Sequence, residues 1–288
     1  MIRRLILVVT LAALVIPACS KEQTAPDHAF RMLSTSMKEG KPELVLEAFP
    51  PRYREDVTGL LRGLGEKMDP EIWDPGFTLV AKLVKVLDEK RDLLMKHPLV
   101  GMAMMGSDPE ELDQQLDETV ESFARISKSP LATVDGLKSI ELSAVTEALL
   151  GGQTTGLREQ AEQIASGFGV GWLLGDYETE IVSQGEGVAT IRLVPPDADP
   201  TELDVKIVDG YWVSAELADG WEDQMTEART QIADFVIEPE MKTQIVAAMG
   251  AIDGILDEAL AAKNEGEIAQ VIAKAMTLPE QLGLDLGG

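Results

Sequence analysis

Few residues in this chain are of the types that do chemistry unaided. Its 288 residues include one cysteine, Cys19, and two histidines, His28 and His97. A zinc site draws its nitrogen and sulfur ligands from several such residues at short spacing, and neither histidine has a second one at that spacing. His28 follows the amino-terminal segment, and His97 precedes Pro98 at the end of a helical stretch. Surface or helix-end roles suit both. A Ser-His-Asp triad assembles in space, so a hydrolase stays among the readings, although no "GxSxG" elbow is present. "GFGVGW", Gly167 to Trp172, has the glycines of a phosphate loop without its Lys-Ser/Thr, and it follows a helical stretch instead of a strand. A helix-to-sheet junction is the better reading. "DADPTELD", Asp197 to Asp204, alternates acids as a calcium loop does, but Glu202 and Val208 stand where an EF-hand needs glycine and glutamate. That stretch reads as a solvated turn. Met95, Met102, Met104 and Met105 gather thioethers, soft ligands that select Cu(I); the plainer reading is an apolar segment in which methionine fills irregular gaps. Acids are so frequent, 50 of 288 residues, that no carboxylate pair stands out. Glu110-Glu111 and Glu222-Asp223 read as solvated helix faces. No catalytic residue, cofactor site or metal site is therefore assigned from the sequence.

The lone cysteine has a context of its own. Met1-Ile2-Arg3-Arg4 is a short basic head, and Leu5 to Ile16, "LILVVTLAALVI", is an apolar run broken only by Thr10. Pro17 and Ala18 then lead to Cys19. A basic head, an apolar run and small residues at a cut site are the layout of a secretory signal. The run holds twelve residues, whereas a helix spanning a bilayer needs roughly 20, so a permanent transmembrane helix is the weaker reading. "IPAC" resembles the lipobox of bacterial lipoproteins. That resemblance implies cleavage between Ala18 and Cys19, a diacylglyceryl group on the Cys19 thiol and an acyl (palmitate-type) chain on its amino group. Several acyl chains exceed the two signals that stable anchoring takes, each buried CH₂ contributing ~0.8 kcal/mol. Ser20, where aspartate would mark retention at the inner membrane, points to the outer membrane facing the periplasm. Lys21 to Pro26, "KEQTAP", reads as a polar tether. With Cys19 acylated no thiol is left for a disulfide or a papain-type nucleophile, and stability has to come from packing.

Composition bounds what the body can do. Cleavage would remove Arg3 and Arg4 and no acid, leaving 23 bases against 50 acids and a net charge of −27 in place of −25. Such a field repels phosphate backbones, which argues against nucleic acid as a partner, and it opposes anionic headgroups equally. The lipid would be the membrane contact. Hydrophobic residues make up 45% of the chain and recur periodically, so it should fold in spite of its charge. Aromatics are only 5%, which leaves the core mainly to Leu, Val, Ile, Ala and Met. The mature length suits one large domain or two small ones.

The elements that must position any site follow from periodicity. From residue 27 to 175 the pattern is helical: Phe30, Leu33 and Met37 form one stripe, and Tyr53, Val57, Leu60, Leu61, Leu64 and Met68 form another. Pro42 suits the first position of a short helix. Asp69-Pro70, Asp74-Pro75 and Asp108-Pro109 are cap-and-start pairs, in which aspartate accepts from exposed N–H groups and proline needs no donor. Helix starts are expected near Pro70 or Pro75 and at Pro109, with shorter helices over 130–138, 143–150 and 157–168. Over 176–217 the period becomes two: "YETEIVSQ", "GVATIRLV", "ELDVKIV" and "YWVSAEL" are strand-like runs joined by turns. Asp209-Gly210 fits a two-residue hairpin, setting Val208 opposite Tyr211 and Ile207 opposite Trp212. Leu203, Val205, Ile207 and Trp212 would then share the packed face. Residues 218–288 return to helix, with stripes over Trp221–Phe235 and Met241–Leu260, a third helix over 265–276 and a frayed tail. The expected fold is α+β: mostly helical, with a four-stranded antiparallel meander before carboxy-terminal helices. The strands are not separated by helices, which argues against a doubly wound dinucleotide fold.

"VDGYWVSAEL", at the end of the meander, is similar to the "DGxW" hairpin of envelope lipoproteins carrying an NTF2-like or cystatin-like module. The resemblance covers about 177–217 and implies a curved sheet backed by helix, with a ligand pocket. The expectation from the whole sequence is a non-enzymatic, lipid-anchored cell-envelope protein that binds a protein or cell-wall partner. The alternative is a carrier of a small apolar ligand held between sheet and helices.

Overall fold

The computed structural model describes residues 25–39, 41–98, 109–151, 177–196 and 199–281. Ala18, Cys19, the "GFGVGW" stretch, Met102, Met104 and Met105, the helix expected over 157–168 and the tail lie outside these residues. The described residues form eleven α-helices and one four-stranded antiparallel sheet, an α+β fold with the sheet ahead of the last three helices. They fall into two compact units, each discontinuous in sequence.

The first unit takes the chain up to Lys67, Ser129–Leu131 and Asp135–Phe235. Its helices are α1 (His28–Glu39), α2 (Pro42–Glu47), α3 (Pro51–Lys67), the end of α7 (Val134–Lys138), α8 (Leu142–Leu150) and α9 (Ala215–Ala233). Its strands are β1 (Glu178–Gln184), β2 (Val188–Val194), β3 (Thr201–Val208) and β4 (Tyr211–Ser214), paired in that order. The turn between β3 and β4 has Asp209 at φ 52° and Gly210 at φ 83°, both left-handed, as a tight hairpin requires. Val208 then faces Tyr211 and Ile207 faces Trp212, the register expected from sequence. The sheet ends sooner than expected. Strand pairing stops at Ser214 instead of Leu217, because the Ser214 hydroxyl accepts from the Leu217 N–H at 3.1 Å and caps α9.

Side-chain alternation gives the sheet two unlike faces. Ala189, Ile191 and Leu193 of β2, Val205 of β3 and Trp212 of β4 are buried on one of them. Helix α1 touches both edge strands, β1 and β4, and so lies across the sheet with Ala29, Phe30 and Leu33 buried. On the other face α9 covers β3 and β4, burying Val208, Tyr211 and Val213. Helix α9 in turn packs on α3, where Tyr53 and Trp221 stack with centroids 3.8 Å apart. The Trp221 indole N–H donates to Asp56 Oδ2 at 2.9 Å, so the ring is buried without leaving its donor unmet.

The second unit is helical: α4 (Pro70–Glu89), α5 (Arg91–Met95), α6 (Pro109–Lys128), α10 (Pro239–Ala261) and α11 (Glu265–Gln281). Asp69 caps α4 by accepting from the Glu71 N–H at 2.9 Å, with Pro70 at the first position. This decides between the two candidate starts, since Pro75 lies inside the helix. Asp74 has another use: its Oδ1 accepts from the Val134 N–H at 2.8 Å. Val86, Leu256, Ala259 and Val271 form a small buried cluster, with Leu79, Leu94, Ile255 and Leu260 packed against it. Polar ties join the helices around it. Lys82 reaches Asp253 and Asp257, Lys90 donates to the Ala262 carbonyl at 2.9 Å, and Lys274 meets Glu258 at 2.5 Å.

Candidate functional site

The feature that could receive another molecule lies in the first unit, where the cover supplied by α9 ends. The face carrying Val188, Thr190 and Arg192 of β2 is roofed at β3 and β4 but open toward β1. At that step there is a groove of about 430 Å³. Its walls are Ser183 of β1, Val188 and Thr190 of β2, Asp204 and Lys206 of β3, and Ala215 and Asp219 of α9. The volume falls in the range of ligand clefts. Its polar groups are paired between neighbouring elements. Thr190 Oγ1 donates to Asp204 Oδ1 at 2.9 Å, and the Lys206 ammonium meets the Asp219 carboxylate. One row further along, Arg192 bridges Glu202 at 2.8 Å and Glu180 at 3.1 Å. The Glu202 carboxylate, and then that of Glu180, holds the Arg192 guanidinium above its ordinary pKa. It is a permanent positive charge between two acids.

Apolar side chains surround the open end of the sheet. Ile181 is 45% exposed, Val182 44%, Val188 56% and Ile207 44%. Ile207 is held there by its N–H, which donates to the Gly187 carbonyl at 3.0 Å beside the β1–β2 turn. Gly187, at φ 74°, lets that turn close tightly. Val182 is the extra residue of a bulge, since the register shifts between Ile181 and Ser183. The hydroxyl of Tyr177, just before β1, is buried without a hydrogen-bond partner among the described residues, and burial raises its pKa. Next to it Ser34 Oγ donates to the Tyr177 carbonyl at 3.0 Å, and Thr179 Oγ1 donates to Asp27 Oδ2 at 2.9 Å. These bonds fasten the start of β1 to α1. The rest of β1 is exposed.

No family model, curated protein or solved structure matches the chain.

Its site therefore has to be read from its own geometry. The structure places His28 at the first turn of α1 in the first unit and His97 after α5 in the second. Met95 ends α5. Of the described acids of the calcium-like stretch, Asp199 is exposed, and Glu202 and Asp204 are engaged by Arg192 and Thr190. Of the four residues expected on one packed face, Val205 and Trp212 are buried, Leu203 is half-buried and Ile207 lies at the exposed rim. Thr190, Lys206 and Asp219 were not singled out from sequence. The alternation of β2 and β3 gave the signal for a polar face, but only the placement of α9 turns that face into a groove.

Proposed function

We propose that the chain is a lipid-anchored protein of a bacterial cell envelope, held through Cys19, that acts by binding a protein or cell-wall partner and not by catalysis. The observation that carries the reading is exposed apolar surface around this edge of the sheet, with Val188 at the mouth of the open groove, Val182 at the bulge, and Ile181 and Ile207 on the opposite face. Apolar side chains gathered at a rim next to polar ones are the surface chemistry of interaction sites. The sequence "LVIPAC", ending at Cys19, supports the anchor. Mass spectrometry of the protein from its host tests the placement: an amino-terminal Cys19 carrying acyl chains is expected, and an unmodified thiol in an uncut chain overturns it. Photo-crosslinkers at Val182 and Val188 test the binding. Reproducible capture of an envelope component is expected; capture no greater than from an exposed helix position such as Gln244 overturns the role of this rim. The groove itself supports a second reading, a carrier of a small ligand between sheet and α9. An apolar probe dye whose fluorescence responds to Val188→Asp and not to Gln244→Asp would favour it.

A further inference from the structure

Every sheet has two edges, and this one treats them differently. Strand β4 is four residues long and buried throughout. Strand β1 is seven residues long and exposed at all but Thr179. An exposed edge is a template for another strand, and natural proteins blunt it with lysine, proline, bulges or cover. Of these, β1 has the bulge at Val182 and neither lysine nor proline, and among the described residues no strand pairs with its outer edge. The bulge leaves Glu178 to Ile181 as a regular stretch against Ile191 to Val194.

Side-chain alternation gives this stretch a definite code. Glu178 and Glu180 point to the face of the groove, level with Arg192 and Glu202. Thr179 and Ile181 point to the face of α1, level with Leu193 and Ile191. A strand laid along β1 would meet the carboxylates of Glu178 and Glu180 on one face and, on the other, the exposed apolar side chain of Ile181 beside the half-buried Thr179. Glu186 at the adjoining turn adds a further acid, and the chain as a whole carries −25. A second copy of this chain brings the same acids on the same face and the same net charge, so like-charge repulsion opposes it. We propose that the open edge of β1 receives an extended polypeptide segment of a partner, in which basic residues alternate with β-branched apolar ones. Main-chain hydrogen bonds would supply the affinity and the alternating side chains the selectivity, as in strand addition generally. This inference rests on the partner-binding reading above and names the partner's chemistry.

The test uses the full chain as its host produces it, in nonionic detergent, with hydrogen exchange read over Glu178–Gln184. The probe is a blocked Lys-Val-Lys-Val-Lys-Val peptide. Its controls are a Glu-Val repeat and a Lys-Val repeat interrupted by proline, which keeps the charge and cannot form a strand. The Lys-Val peptide is expected to slow exchange at β1, less so as salt rises, and the controls are not. Equal slowing by the proline-interrupted peptide, or slowing confined to other segments, overturns the proposal. Concentration-dependent protection without peptide also overturns it, in favour of a second copy. Glu178→Lys, at an exposed position, should weaken binding roughly threefold, an effect of the size that exposed charge pairs give. The double change Glu178→Lys/Glu180→Lys should transfer preference to the Glu-Val peptide. If crosslinking captures a partner at Val188 while no peptide protects β1, the edge assignment fails and the partner-binding reading stands.

Discussion

Gly59 and Gly65 sit on the same helix, α3, and show how far the packing around one residue decides its worth. A Cβ at Gly65 would lie 2.8 Å from the Leu137 Cβ and 2.9 Å from the Lys138 backbone nitrogen. Neither neighbour is a flexible chain end. α3 and the end of α7 approach each other there because glycine leaves the space. A Cβ at Gly59 meets nothing within 4 Å. Helical alanine is favoured over glycine by roughly 1 kcal/mol, whereas overpacking costs about 1–3 kcal/mol. Gly59→Ala should therefore stabilise by about 0.5–1 kcal/mol, and Gly65→Ala should destabilise in spite of the same propensity gain. Urea unfolding of both variants checks this; equal shifts of the same sign would refute the close approach. The sequence does not distinguish the two glycines, since both stand on the "GLLRGLGEK" run and the difference comes from a residue far along the chain.

The same division between local and distant causes runs through the elements. The Asp209-Gly210 hairpin and the facing of Ile207 with Trp212 were legible because each is set by a few adjacent residues, whereas the local Asp-Pro pattern offered Pro70 and Pro75 alike as a helix start. The openness of β1 was not legible, because "ETEIVSQ" has the same alternation whether its edge is covered or free. The groove was hidden for a like reason: Asp219 joins it only through the line that α9 takes over the sheet. At the end of β4, "WVSAEL" continues the strand pattern, and the cap on Ser214 overrides it. Removing that cap tests the hand-over from strand to helix. Ser214→Ala leaves the Leu217 N–H buried without its acceptor and should cost about 1–2 kcal/mol, read by urea unfolding; no change would mean that packing alone ends the strand. The junction of α4 and α10 carries a pH prediction. Lys242 meets Asp69 at 2.6 Å and Glu71 at 2.5 Å. The Lys242 ammonium, then the Glu71 N–H, holds the Asp69 carboxyl below its ordinary value of 3.8. A lowered folded pKa stabilises above the unfolded value, and that contribution disappears as pH falls through the folded one. For Lys242 the bond to Asp69, then that to Glu71, raises the pKa above 10.5. Its contribution is complete below that value and lost as pH climbs through the raised one. Lys242→Met should thus begin its acid unfolding at a higher pH than the parent and lose this part of the alkaline decline. Superimposable pH–stability curves would show the pair to be inert.

At the scale of the whole molecule, two electrostatic effects oppose each other, and the charge count decides between them. Ion pairs such as Lys82 with Asp257 and Lys274 with Glu258 attract, and salt weakens them. Exposed pairs contribute about 0–1 kcal/mol each. Against them stand 50 acids and 25 bases, so pairing every base would still leave 25 carboxylates repelling one another. Screening acts on that surplus over distances where no specific pair competes, with a Debye length of about 10 Å at 0.1 M salt. Stability should therefore rise with salt, seen as a melting temperature that increases between about 10 mM and about 300 mM sodium chloride, a range over which the Debye length shrinks from about 30 Å to about 6 Å. A falling melting temperature would mean that the paired charges dominate. Association with a basic strand at β1 should respond in the opposite sense, since it draws on the same unscreened field. A body that becomes more stable in salt while its partner lets go would separate the two roles of its acids. In the proposed strand addition those on Glu178 and Glu180 would face the partner, while the rest add to a repulsion that the core has to withstand.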